Sequence, residues 1–245
     1  MSKEKIIVAL DVETASEARE IIAELREDVG AFKIGLQLFT SVGSSFVRET
    51  VEKGIRIFLD VKFHDIPNTV AKASIEVARL GVWMFNIHAV GGSEMMRRTV
   101  ESVSEICAKE NLDKPKIIGV TVLTSSNQET LSETGIEREI NAQVLNLASL
   151  SAKCGLDGVV ASPLETEAIR QAVENKDFLI VTPGIRSREP KKAHQVETSD
   201  DQKRVMTAKE AVRIGSDYLV IGRPILQAAD RKAAVGKILE EIETL

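Results

Sequence analysis

Cysteine is scarce in this chain of 245 residues, which carries only Cys107 and Cys154. Both fall in stretches of helical periodicity and make no metal or redox spacing, which excludes a disulfide scaffold and a dithiol centre. They read as small buried apolar residues in a reducing compartment. Histidine is equally sparse: His64, His88 and His194 show no ligand spacing, and no Ser/His/Asp or Cys/His arrangement suggests a covalent nucleophile. With 15 Gly and 6 Pro, collagen-like and low-complexity classes are excluded. Long apolar runs are missing too. The N-terminal run Ile6–Leu10 stops at Asp11, too short for a signal segment and far short of the ~20 residues a membrane span needs. A cytoplasmic, soluble protein is the expectation. Nor is there an excess of positive charge. The 32 Lys+Arg against 37 Asp+Glu give a net −5, which argues against nucleic acid or an anionic membrane as partner. A small anionic substrate stays open, because it needs only a local positive patch.

What is present is an ordinary globular composition, 43% hydrophobic and 28% charged, arranged with a repeating pattern. Apolar runs of about five residues occur at Lys5–Leu10, Ala31–Gly35, Ile55–Val61, Trp83–Ile87, Lys116–Val122, Asp157–Ala161, Phe178–Thr182 and Asp217–Ile221. Several are nearly all apolar, as strands buried on both faces are. Helix-like segments such as Ala15–Asp28, Met95–Lys109, Gln143–Cys154 and Ala229–Ile242 lie between them. Alternating βα units imply a parallel sheet, and eight in about 250 residues favour one closed (β/α)8 TIM barrel over residues 1–245. The Gly-rich dinucleotide fingerprint is missing after the first strand, where Asp11-Val12-Glu13 stands instead.

One connection breaks this economy. Residues 184–205 read GIRSREPKKAHQVETSDDQKRV, with six Lys/Arg against four Asp/Glu. A loop this long is a lid, a binding loop or a solvated insertion, and its place after the seventh strand favours the lid.

In such a barrel the reacting groups come from the C-terminal strand ends. In Phe58-Leu59-Asp60-Val61-Lys62, alternation puts residues 58, 60 and 62 on one face, so an inward Phe58 brings Asp60 and Lys62 inward at the mouth. Lys33 interrupts the apolar second strand, and Asp65 follows on the loop. Two lysines and two aspartates could alternate so that each charge has an opposite neighbour. The plainer readings are a rim lysine snorkelling to water and a structural ion pair. After the eighth strand, Gly222 lets backbone N–H groups approach an anion and Arg223 offers a planar fork for phosphate oxygens. Arg186 adds a second cation after strand seven. His88, before Gly91-Gly92, could touch substrate or hold a turn, and the structural role is the favoured reading.

The run Asp60-Val61-Lys62-Phe63-His64-Asp65-Ile66-Pro67-Asn68-Thr69 resembles the DxKxxDIPxT signature of the orotidine 5'-phosphate decarboxylase family. Asp11, Lys33, Thr182-Pro183-Gly184-Ile185-Arg186 and Gly222-Arg223 fall where that family has its other motifs, and the match covers about Ile6 to Gly236. The resemblance implies decarboxylation of orotidine 5'-monophosphate to uridine 5'-monophosphate without metal or cofactor, the last step of pyrimidine nucleotide synthesis. It further implies that Lys62 protonates C6 as carbon dioxide leaves, with Asp60 beside the substrate carboxylate and Lys33 orienting the array and touching ribose. Asp65 and Thr69 would come from the neighbouring subunit of a homodimer. Asp11 would bind ribose, Thr124 the pyrimidine, and Arg186, Gln202, Gly222 and Arg223 the phosphate, with residues 184–205 closing over it.

Two other readings compete. Magnesium-dependent sugar-phosphate decarboxylases or aldolases of the same barrel group resemble the chain in DxKxxD. They place an acidic metal ligand where this chain has Lys33, and a lysine there repels a divalent cation. A non-catalytic phosphate-binding barrel is the second, and it would need no complete Lys/Asp array.

Overall fold

The structure is a computed structural model that describes residues 2–186 and 206–244. Its elements run β1 (Ile6–Ala9), α1 (Ala15–Leu25), β2 (Ala31–Gly35), α2 (Leu36–Glu52), β3 (Ile57–Phe63), α3 (Pro67–Arg79), β4 (Met84–His88), α4 (Gly92–Glu110) and β5 (Lys116–Val120). They continue α5 (Gln128–Glu133), α6 (Ile140–Lys153), β6 (Gly158–Val160), α7 (Thr166–Ala172), β7 (Leu179–Thr182), α8 (Ala208–Arg213), β8 (Tyr218–Ile221), α9 (Arg223–Leu226) and α10 (Arg231–Glu243). Each strand pairs in parallel with the next and β8 closes on β1, so the eight-stranded barrel of the sequence reading is present.

Alternation sorts every strand into two cores. Ile7, Ala9, Ala31, Phe58, Met84, Ile118, Val181 and Val220 fill the barrel interior. Their sequence neighbours, such as Ile6, Val8, Phe32, Ile34 and Leu59, pack outward against the helices. This double burial is why the strands read as unbroken apolar runs. Helix starts follow local chemistry: Thr14 caps α1 and Thr207 caps α8, each in a reciprocal box with Glu17 and Glu210 respectively. The N-terminal end of the barrel is closed by Trp83 and Tyr218 in edge contact, with the Arg56 guanidinium 4.1 Å from the Trp83 ring centroid and 2.6 Å from Glu4. The C-terminal end is left for a site.

The long loop leaves the barrel after β7 and returns before α8. Its two ends are pinned together: Arg186 N–H donates to the Met206 carbonyl at 3.0 Å and Met206 N–H to the Gly184 carbonyl at 3.3 Å. Most of the expected lid, with Gln202 and His194, lies outside the described residues.

Candidate active site

The inward parity of β2 places Lys33 between Ala31 and Gly35, so its ammonium stands inside the barrel mouth with the residue only 8% exposed. A charge at that depth needs partners, and Lys33 Nζ has two, Asp11 Oδ1 at 3.1 Å and Asp60 Oδ2 at 3.4 Å. The other Asp60 oxygen takes Lys62 Nζ at 2.6 Å. The result is an alternating row, Asp11–Lys33–Asp60–Lys62. Within the chain the second carboxylate of the row is thus Asp11. The rim-lysine reading of Lys33 fails on burial. Burial alone would raise the Asp60 pKa, but Lys33 and Lys62, with hydrogen bonds from Lys62 and Asn86, outweigh it and hold the carboxyl below its ordinary value.

Regular pleating does not deliver Lys62 to this row. Opposite β4, Leu59 pairs with Phe85 but Phe63 with Ile87, so β3 carries two extra residues across the interval. A bulge of this kind re-aims side chains at barrel rims. Lys62 takes φ +52°, a left-handed conformation that costs a non-glycine residue roughly 1–2 kcal/mol. Asn86 of β4 spans the bulge: its Oδ1 accepts from Lys62 N–H at 2.8 Å, and its Nδ2 donates to Asp60 Oδ1 at 2.6 Å.

Two glycines leave room for the row. A Cβ on Gly35 would stand 2.8 Å from Lys33 Nζ, and one on Gly222 would stand 3.1 Å from Asp11 Oδ2. Gly35 and Asn86 are the residues that sequence reasoning missed. Asn86 left one signal, a polar amide at inward parity in an otherwise apolar strand. Gly35 left none, because a glycine ending a strand is ordinary.

A cavity of about 260 Å³ covers the row and gathers Asp11, Lys33, Asp60, Lys62, Thr124, Gly184, Arg186, Gly222 and Arg223 on its wall. The wall thus combines the lysines and carboxylates of the row with two arginines, two glycines and the segment Leu123, Thr124 and Ser125. A larger cleft of about 510 Å³ begins beyond Arg186 and Arg223 along α10. It holds none of the row. Asp65 and Thr69 are absent from the wall of the smaller cavity. Both are exposed, and Asp65 Oδ1 accepts from Ile66 N–H at 2.6 Å. The His88 ring lies tilted against that of His64, centroids 5.6 Å apart, and burial, with the charges of His64 and Lys62, lowers its pKa. The two cysteines are unlinked and buried, and burial pushes both thiols up. Among the described residues, no group of three His, Cys, Asp or Glu could hold a metal ion. Nor is any helix there long and apolar enough to cross a membrane.

A closed parallel barrel with a charge-paired row at its strand ends and two arginines on the wall of the same cavity defines a (β/α)8-barrel enzyme of anionic substrates. Residues 4–238 match the model of a family described as "Orotidine 5'-phosphate decarboxylase / HUMPS family", and the chain belongs to it. The orotidine 5'-phosphate decarboxylase of Syntrophotalea carbinolica is 50% identical over 241 residues, covering 98% of this chain and 96% of the relative. That of Geobacter sulfurreducens is 51% identical over 241 residues, covering 98% and 97%. The crystal structure of orotidine 5'-phosphate decarboxylase from Lactobacillus acidophilus superposes with a TM-score of 0.82 at 35% identity, covering 97% of this chain and 98% of that one. An uncharacterized conserved protein from Geobacillus kaustophilus gives 0.79 at 33% identity, covering 97% and 99%.

Proposed function

We propose that the chain decarboxylates orotidine 5'-monophosphate to uridine 5'-monophosphate and carbon dioxide, a carboxy-lyase step of pyrimidine biosynthesis. The observation that carries this reading is the charge-paired row Asp11–Lys33–Asp60–Lys62 in the cavity wall. Relatives of that name share about half their residues with the chain over nearly its whole length.

Loss of carbon dioxide leaves an electron pair at C6 with no carbonyl placed to delocalise it. The Lys62 ammonium stabilises that charge and gives its proton to C6, so one C–C bond breaks and one C–H bond forms. A cation already held by Asp60 needs no reorganisation as charge develops. Asp60 lies beside the scissile carboxylate, and Lys33 fixes Asp60 and reaches the ribose. Asp11 takes a ribose hydroxyl, and Thr124 the pyrimidine edge. Arg186, Gly222 and Arg223, with Gln202, hold the phosphate, far from the bond that breaks. Binding energy gathered there serves removal of water from the row.

The homodimer fits the same geometry. Asp65 and Thr69 stand exposed beside Ile66, itself 67% exposed, and Leu36 and Val90 are exposed at the neighbouring strand ends. This apolar rim suits a second copy, whose site Asp65 and Thr69 would complete. A cytoplasmic location goes with this reading, and no described helix is long and apolar enough to cross a membrane.

The magnesium-dependent alternative is disfavoured because the Lys33 ammonium already sits between Asp11 and Asp60, where it repels a divalent cation. The experiment is the loss of orotidine 5'-monophosphate absorbance with EDTA present. Turnover that resists the chelator supports the assignment. No turnover, or turnover only with added magnesium, overturns it.

A further inference from the structure

Asn86 is the most deeply buried polar side chain next to the row, 0% exposed, yet it is not on the cavity wall. Its parity in β4, between inward Met84 and His88, points the amide at the bulge in β3. A buried amide must satisfy an acceptor and a donor together. Both partners here carry the proposed chemistry: Lys62 through its backbone N–H at 2.8 Å, and Asp60 through Oδ1 at 2.6 Å. Asp60 Oδ1 is also the oxygen that receives Lys62 Nζ at 2.6 Å. One neutral side chain therefore fixes the left-handed backbone of Lys62 and the rotation of the carboxylate that holds its ammonium.

On the reading that Lys62 is the proton donor, we propose that Asn86 is a positioning residue, whose amide sets the aim of the Lys62 ammonium through the bulge and through Asp60. The requirement is specific to an amide. A carboxylate at this position still accepts from Lys62 N–H but sets a second negative charge against Asp60. An aliphatic side chain satisfies neither partner.

The test compares Asn86→Ala and Asn86→Asp with the wild type. Asn86→Ala lowers kcat about a hundredfold, the effect of an ångström-scale misplacement. Its affinity for uridine 5'-monophosphate stays within about threefold, because Asn86 does not line the cavity. Asn86→Asp is equally slow at neutral pH and recovers as pH falls. A protonated carboxyl there again accepts from Lys62 N–H and donates to Asp60. The groups facing this position are Asp60 and Lys62 of β3, Lys33 of β2 behind them, and His88 with His64 at the strand ends. Each rate is therefore taken as a ratio to wild type at the same pH.

A kcat for Asn86→Ala within threefold of wild type overturns the inference. So does a loss of nucleotide affinity as large as the loss of kcat, or an Asn86→Asp ratio that stays flat with pH. Should Asn86→Asp not fold, Asn86→Ser takes its place: it follows the kcat-only loss if the amide aims Lys62, and matches wild type if Asn86 only fills space. A wild type without turnover removes the decarboxylation reading and this inference with it, whereas active wild type with unaffected variants removes the inference alone.

Discussion

Removing the ammonium of Lys33 while keeping its length tests whether the row holds itself together. In Lys33→Met, Asp60 keeps Lys62 and Asn86 at 2.6 Å but loses the cation beside its other oxygen. Breaking a buried pair by removing one partner costs about 3–5 kcal/mol. The low end applies here, about 3 kcal/mol, because two partners of Asp60 remain and Asp11, its side chain 60% exposed, rehydrates. For a chain of this size that lowers Tm by roughly 6–12 °C. The sign with pH follows from Asp60. In the wild type its folded pKa lies below the unfolded value, so its stabilisation is present above the unfolded pKa and is lost as pH falls through the folded one. In the variant, burial meets less opposition and the carboxyl takes up its proton at higher pH. The deficit in Tm is therefore largest near neutrality and narrows on acidification, before the wild type protonates. Thermal unfolding of both proteins from neutral pH down through the ordinary carboxylate range, at one protein concentration, measures this. An unchanged Tm at neutral pH, or a deficit that widens on acidification, refutes the reasoning.

Three further outcomes are expected. Gly35→Ala brings a Cβ within 2.8 Å of Lys33 Nζ, a flexible end that moves aside. The protein folds normally while kcat drops at least about tenfold, and unchanged kinetics show that the Lys33 position is not critical. Lys62→Ala loses most decarboxylation but binds uridine 5'-monophosphate in calorimetry; near-normal turnover removes Lys62 as the acid. Mixing Lys62→Ala with Asp65→Ala subunits restores activity, because a mixed dimer contains one site with both residues; subunits that exchange and stay inactive contradict the shared site.

The barrel was legible because its physics is periodic. Strands buried on both faces must be apolar throughout, and all eight stood out within a few residues of their ends. Lys33 and Asp60 were legible for the complementary reason, as charges at inward positions of apolar strands. Lys62 was placed on the right side by simple alternation, although the structure delivers it by a bulge and a left-handed residue. Alternation has no means to register two extra residues, since an even insertion leaves parity unchanged. Asn86 left only its inward polar amide as a signal, because its importance lies in pairing across strands, with residues 24 and 26 positions away. The signature motif ends at Thr69 and never reaches it. Asp65 was drawn toward the row by sequence proximity, yet in one chain Asp11, just after the first strand, occupies that place.

Turnover of orotidine 5'-monophosphate in deuterium oxide with chelator present bears most directly on the central claim, that the row performs a metal-free decarboxylation with Lys62 as the acid. Proton NMR of the product is predicted to show uridine 5'-monophosphate deuterated at C6, formed by the wild type and not by Lys62→Ala. Turnover that requires magnesium, or equal deuterated product from Lys62→Ala, would contradict it.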